Sequence, residues 1–312
     1  MIIQQIRSRR QSTRRQYCQA ALVLTALSAG AVHGGALPAG AVTMRVAPDA
    51  PQPGDVFSVT LAPAAGEKIQ GVGMAAFDTP QVKFYARRDG SVRALVGLPF
   101  DRKGGLSTLT ARVQFTRDGK TVEQVLSTAL RARARYFPTQ HISMKSSTAT
   151  TMSKTGALRA EKRVVQNAMK NSYPGPLWSG SWVIPTRGRS TSSYGRRRYV
   201  NGKWWGQHNG ADIKAPTGAP VVAMNTGRVV LSQSLPTLRG NCIVVDHGCN
   251  VFSIYMHLSQ RLVNVGQSVR RGQMIGRVGA TGFVTGAHLH WEVRIGWEPV
   301  DPIKIVHAGL QF

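Results

Sequence analysis

The chain has 312 residues, 42% of them hydrophobic, and carries 40 Lys+Arg against 14 Asp+Glu, a formal net charge of +26. That length and apolar content suit two domains with real cores and exclude a disordered chain. The charge favours polyanionic partners, but no recognition helix, zinc finger or RNA-binding signature accompanies it, so nucleic acid is set aside as a partner.

Residues 1–41 read as an export signal. Ile6 to Tyr17 carries Arg7, Arg9, Arg10, Arg14 and Arg15 without an acid, and Ala20 to Val32 is a short apolar run. A basic segment, a short apolar core and small residues beyond it make a cleavable signal, cut after Ala31 or as late as Ala41. The run is too short and too rich in Ala and Gly for a transmembrane helix, so no stable span is expected after cleavage. Thr13 to Tyr17 loosely resembles a twin-arginine signal, which leaves the export route open. Cys18 precedes the apolar run, where no lipoprotein anchor belongs, and leaves with the signal. The expected location is the periplasm, the cell envelope or the exterior.

Residues 42–137 predict a small β-sandwich. Alternating segments such as DVFSVTL, QVKFYAR, SVRALVGLP, LSTLTARVQFT and TVEQVLSTALRA are separated by the turn pairs Asp89-Gly90, Gly104-Gly105 and Asp118-Gly119. With no His and few acids, the segment is expected to serve as a wall-binding spacer or as a plain structural module. Residues 138–176 read as a linker and a helix. Ser146 to Ser153 is rich in Ser, Thr, Met and Lys, and Gly156 to Asn171 spaces Leu158, Val165 and Met169 along one face. Three apolar positions suit packing on a neighbour better than lying on a membrane.

Residues 177–312 are rich in Gly and β-branched residues and predict a mostly β domain. Cys242 and Cys249 remain after the signal; on a hairpin they lie too far apart to bridge, so two free, partly buried thiols are expected. Five of the eight histidines fall in one 83-residue window, His208, His247, His257, His288 and His290. In His288-Leu289-His290-Trp291-Glu292-Val293 the alternation turns His288, His290 and Glu292 to one face and Leu289, Trp291 and Val293 to the other. His208 and Asp212 flank Gly210, which allows a tight path aiming both side chains at one point. One carboxylate and two imidazoles are the donor set of a catalytic zinc site, with a fourth position left for water. His257 adds an imidazole from a third strand.

These residues resemble a known family. His208-Asn-Gly-Ala-Asp212, Tyr255-Met-His257-Leu and Gly286-Ala-His288-Leu-His290-Trp-Glu292 are similar to the three motifs of the lysostaphin-like M23 peptidoglycan metalloendopeptidases. Ser193 to Arg197, Pro216 to Val221, Asn225 to Val229, Val245 to Gly248, Val265 to Val269 and Gly279 to Gly282 look like the family's strands and turns in order, over about residues 177–303. The resemblance implies a β-sandwich/barrel hybrid catalytic domain over 177–312. It also implies Zn2+ held by His208, Asp212 and His290, with His257 and His288 as catalytic residues on the open side. Which of these two is the general base stays open, Glu292 is a candidate to brace a ligand, and His247 reads as structural.

The function expected is hydrolysis of peptide bonds in peptidoglycan by a zinc-activated water, by a monomer whose charge holds it near anionic envelope polymers. The alternative is a non-catalytic cell-wall-binding or hydrolase-activating protein of the same fold. Val265 to Ile275 resembles the hairpin of lipoyl and biotinyl carriers, but no lysine stands at a neighbouring turn, so a carrier is rejected. The bond cleaved is not legible, because specificity belongs to loops such as Arg198 to Gln207, where Trp204 and Trp205 are either a substrate wall or loop anchors.

Overall fold

The computed structural model describes residues 42–143, 155–310 and 312. The export signal and the stretch Ser146 to Ser153 lie outside the described residues. No described helix is long and apolar enough to cross a membrane.

The chain is mostly β. Strands Thr43–Ala47, Val56–Ala62, Tyr85–Ala86 and Val92–Gly97 form one antiparallel sheet, and Lys68–Met74, Gly105–Arg117 and Lys120–Ala132 form another. Alternation drives both to one shared core, where Phe57, Val59 and Leu61 of the first sheet meet Leu109, Ala111, Val113 and Phe115 of the second. In Gly105–Arg117 the residues between these face solvent.

The larger sheet is built on Gly240–Gly248, Val251–Arg261, Leu289–Ile295, Ala211–Lys214 and Arg189–Ser192, in that spatial order, with Gly227–Leu235 beside the first. Its two central strands are buried on both faces. The inner face, with Ile243, Val245, Tyr255, Leu289, Trp291 and Val293, packs into the domain's main core. The outer face, with Cys242, Val244, Phe252, Ile254 and Met256, is covered by the helix α1, Thr155–Ala168, through Val165, and by Met169 just beyond it. Leu158, on the same predicted stripe, stays outside that cluster. A short helix, α2 (Pro302–Ala308), ends the fold; Asp301 caps it by accepting the N–H of Ile303.

Cys242 and Cys249 are free and buried. Cys249 and Asn250 both have positive φ at the tight turn between the central strands, as a two-residue hairpin connection requires. His247 sits in the core, where its Nδ1–H donates to the Thr226 carbonyl (2.8 Å). Tyr255 Oη and Ser253 Oγ then form a chain ending on its Nε2. Burial holds this imidazole neutral, with its pKa down to about 4.

The sandwich and the large domain interlock. Leu95 joins the large core, Arg135 pairs with Asp301 at 2.6 Å and Lys304 pairs with Asp55. Gly97 lies so close to Val300 and Glu298 that a Cβ there would meet Val300 Cγ1 at 2.8 Å. Glu298 is half-buried at this seam; burial first, then Asp78 and Asp101, raise its pKa to about 7 despite Arg294. Its unfolded value is near 4.5, so the folded chain holds the extra proton, and stability falls as pH rises from about 4.5 through 7. Glu298→Gln is expected to raise stability at pH 8 by about 1 kcal/mol and to leave it unchanged at pH 4.5. Denaturant melts at the two pH values check this, and equal effects at both would refute it.

Candidate metal centre and catalytic groove

A third sheet shapes the site. Thr139–Ile142 pairs parallel with Arg197–Val200, which pairs with Lys203–Gln207 across an Asn201-Gly202 turn. Thr139–Ile142 lies within the stretch read as linker, and the last two strands occupy the segment read as a loop. Their alternation sends Gln140, Arg198, Trp205 and Gln207 into a groove of about 500 Å³. His141 and Tyr199 stack on the opposite face.

The floor of the groove follows from register. Asp212 lies directly opposite His290 on one side and Ser192 on the other, and Met256 lies opposite His290. His208 reaches the same point because Gly210 lets the chain press against the strand Leu289–Ile295. A Cβ on Gly210 would sit 2.2 Å from the Trp291 carbonyl oxygen. Gly210→Ala is therefore expected to destabilise the fold by about 3 kcal/mol, at the upper end for overpacking, measurable by thermal melting; an unchanged melt would contradict this contact.

His208 Nε2, Asp212 Oδ1 and His290 Nδ1 form a triangle with sides of 3.0, 2.7 and 3.0 Å. Each imidazole is held by its other nitrogen. His208 Nδ1 is 2.8 Å from the Ser193 carbonyl, an acceptor only, so Nδ1 carries the hydrogen. His290 Nε2 is 3.1 Å from Glu292 Oε1, so the hydrogen is on Nε2. Two imidazole lone pairs and a carboxylate oxygen then face one another, an arrangement that needs a cation or a trapped proton between them. A tetrahedral zinc with ligands at about 2.0–2.1 Å would separate them by about 3.3 Å, so the donor set fits zinc.

When a proton rather than a metal ion bridges the three groups, they shift one another strongly. Burial would raise the Asp212 carboxyl, but hydrogen bonds from His208 and His290 outweigh it and hold its pKa well below the usual range. Burial would lower His290, but Asp212 and Glu292 overcome it and raise its pKa to about 9. Burial lowers His208. Glu292 is braced in turn by Arg294 at 2.7 Å.

His257 and His288 stand beside this triangle, with ring centroids 4.9 Å apart. His257 Nδ1 is 2.9 Å from the Thr281 carbonyl and His288 Nδ1 is 2.8 Å from the Gly286 carbonyl. Both therefore carry the hydrogen on Nδ1 and keep a lone pair on Nε2; His288 Nε2 lies 3.9 Å from Asp212 Oδ1. Burial foremost, then His290 and His288, push the His257 pKa down to about 3. His257 also has a φ of 63°, a left-handed backbone rare outside glycine and characteristic of strained functional positions. Of the other histidines, His247 belongs to the core and His307 to the last turn of α2, while His33 lies outside the described residues.

Arg198 and Glu161 were not legible in the sequence, whereas Trp204 and Trp205 were read there as a substrate wall or loop anchors. Arg198 donates to Asp212 Oδ2 at 2.6 Å, leaving Oδ1 to the triangle. Trp205 stacks on Phe283 across the groove, centroids 6.2 Å apart, while Trp204 packs on Tyr199. Glu161 of α1 is buried and accepts backbone N–H groups of Thr237, Leu238 and Arg239 on the groove rim. The Asn201-Gly202 pair was a hairpin signal in plain sight; a partner 76 residues away, as for Glu161, leaves none.

With the geometry in hand, residues 206–302 match the model of peptidase family M23. The chain carries an M23 peptidase domain. It is 40% identical over 124 residues to the peptidoglycan DD-endopeptidase ShyA of Vibrio cholerae, a match covering 39% of this chain and 29% of that protein. It is 38% identical over 117 residues to the DD-carboxypeptidase/endopeptidase Mpg of Neisseria meningitidis, covering 38% and 27%. The chain thus spans less than a third of the length of these curated relatives. The crystal structure of a candidate peptidase M23 from Pseudomonas aeruginosa superposes with a TM-score of 0.56 at 26% identity, covering 83% of this chain and 96% of that one. That coverage reaches well beyond the M23 domain.

Proposed function

We propose that the chain is an exported zinc metalloendopeptidase that hydrolyses peptide bonds of bacterial peptidoglycan. The observation that carries this is the convergence of His208 Nε2, Asp212 Oδ1 and His290 Nδ1 beside two imidazoles whose Nε2 atoms are bare. His208, Asp212 and His290 would hold the zinc, which when bound polarises a carbonyl and lowers the pKa of water toward about 7. His257 and His288 do the proton work: one Nε2 accepts the proton of the attacking water, and the other, once protonated, donates to the developing oxyanion. Their Nδ1 bonds to fixed carbonyls aim both rings without help from substrate. Arg198 and Glu292 hold Asp212 and His290 in place. The basic-then-apolar N-terminus supports export, and the net charge of +26 favours retention at an anionic envelope, more weakly in high salt.

Digestion of purified peptidoglycan by the mature protein tests this directly. Cleavage is expected, lost on chelation and restored by about one equivalent of zinc per chain. Zinc bound without cleavage of several wall types would overturn the peptidase reading and favour a wall-binding or activating role.

A further inference from the structure

The walls of the groove carry more positive charge than their own acids neutralise. Arg198, Lys214 and Arg239 line it, against Asp212 and Glu292 alone. Both acids are spent: Asp212 on two imidazoles and Arg198, Glu292 on His290 and Arg294. Lys214 is exposed. Arg239 differs from the other two cations. Its side chain is only 11% exposed, yet its buried Nε and Nη1 make no hydrogen bond among the described residues. Glu161 lies 3.5 Å away, but its oxygens already accept three backbone N–H groups of the same rim. Nη1 is the atom that faces Glu161, so the guanidinium is held from behind by a carboxylate while the residue lines the groove.

The placement of Arg239 says where that something binds. Its carbonyl accepts the N–H of His257 at 2.9 Å. The neighbouring Leu238 carbonyl accepts the N–H of Phe283, the residue stacked on Trp205. Arg239 therefore stands on backbone joined to a site histidine and to the aromatic wall. A guanidinium clamped in place by a carboxylate behind it, on the wall of a groove whose own acids are spent, is suited to a carboxylate in front.

We propose that Arg239 is a specificity-determining residue that receives a free carboxylate of the peptide stem next to the bond held over the metal centre. This rests on the peptidase reading above and deepens it: the substrate is an anionic stem, not an amidated stem or a neutral glycine bridge. Glu161 acts only through Arg239, as a positioning residue.

The test uses the zinc-loaded full protein and a non-cleavable synthetic D-alanyl stem peptide, prepared with its carboxylates free or amidated. Wild type is expected to bind the free form at least tenfold more tightly, as for a charge-assisted contact. In Arg239→Gln that ratio should collapse toward unity with zinc content retained. Should that variant fold poorly, the wild type still decides, because the Arg239 Nε–H resonance should move on adding the free peptide and not the amidated one. Equal binding of the two peptides by wild type, a preference that survives Arg239→Gln, or an unmoved resonance would each overturn the proposal. Cleavage is followed separately: discrimination in binding with no cleavage of either form would refute the peptidase reading and leave the carboxylate site standing.

Discussion

Replacing His257 or His288 with alanine is expected to slow peptidoglycan cleavage by about 10²–10⁴-fold each, the usual range for a positioned acid or base, while zinc stays bound. The reason is a division of labour. The three converging donors belong to His208, Asp212 and His290, whereas His257 and His288 are anchored by Nδ1 to the Thr281 and Gly286 carbonyls. Removing either ring takes away one Nε2 without touching the triangle. If the two act on one proton path, the double variant should be little worse than the slower single one. Rates and metal content measured together check this. A single variant that keeps near wild-type cleavage would remove that histidine from the chemistry, and one that loses zinc would move it into the ligand set.

His290→Ala should do the reverse and fail at the metal first. It deletes one of the three proposed ligands and leaves Glu292 paired only with Arg294. Loss of a bracing residue commonly costs about 10–100-fold in metal affinity, so loss of a ligand should exceed about 100-fold and take cleavage with it. Glu292→Gln supplies the comparison: it still accepts the Nε2–H of His290 but removes the negative charge, and its loss should stay within the smaller range. Competition against a chromogenic chelator measures both. Wild-type zinc affinity in His290→Ala would exclude the triangle as the metal centre.

Much of this arrangement could be read from local sequence because it depends on local rules. The two-residue repeat alone puts His288, His290 and Glu292 on one face, and Gly210 marks the close approach that the Trp291 backbone demands. The stripe through Val165 and Met169 is similarly local. What escaped depends on pairing across long separations or on exceptions to a rule. Thr139–Ile142 gains its role only from a parallel partner some sixty residues on. Arg198 points at Asp212 because a hairpin read as a loop alternates like any strand. His257 leaves its strand's alternation through a left-handed φ, and α1 buries an acid, Glu161, one turn before Val165 on its packed face.

The helix α1 also limits how freely the chemistry can be moved. Residues 206–302 contain every residue of the metal triangle and both flanking histidines, yet that segment does not cover its own outer face. Leu231, Val244, Phe252, Ile254 and Met256 lie beneath Val165 and Met169, supplied from upstream. Excised by its motifs alone, the segment would carry a contiguous apolar patch into solvent, the kind of surface that drives association. As an evolutionary or engineered cassette, the portable unit is therefore the sheet with its preceding helix, and recombination that splits them would transplant an active-site sequence without a soluble domain to hold it.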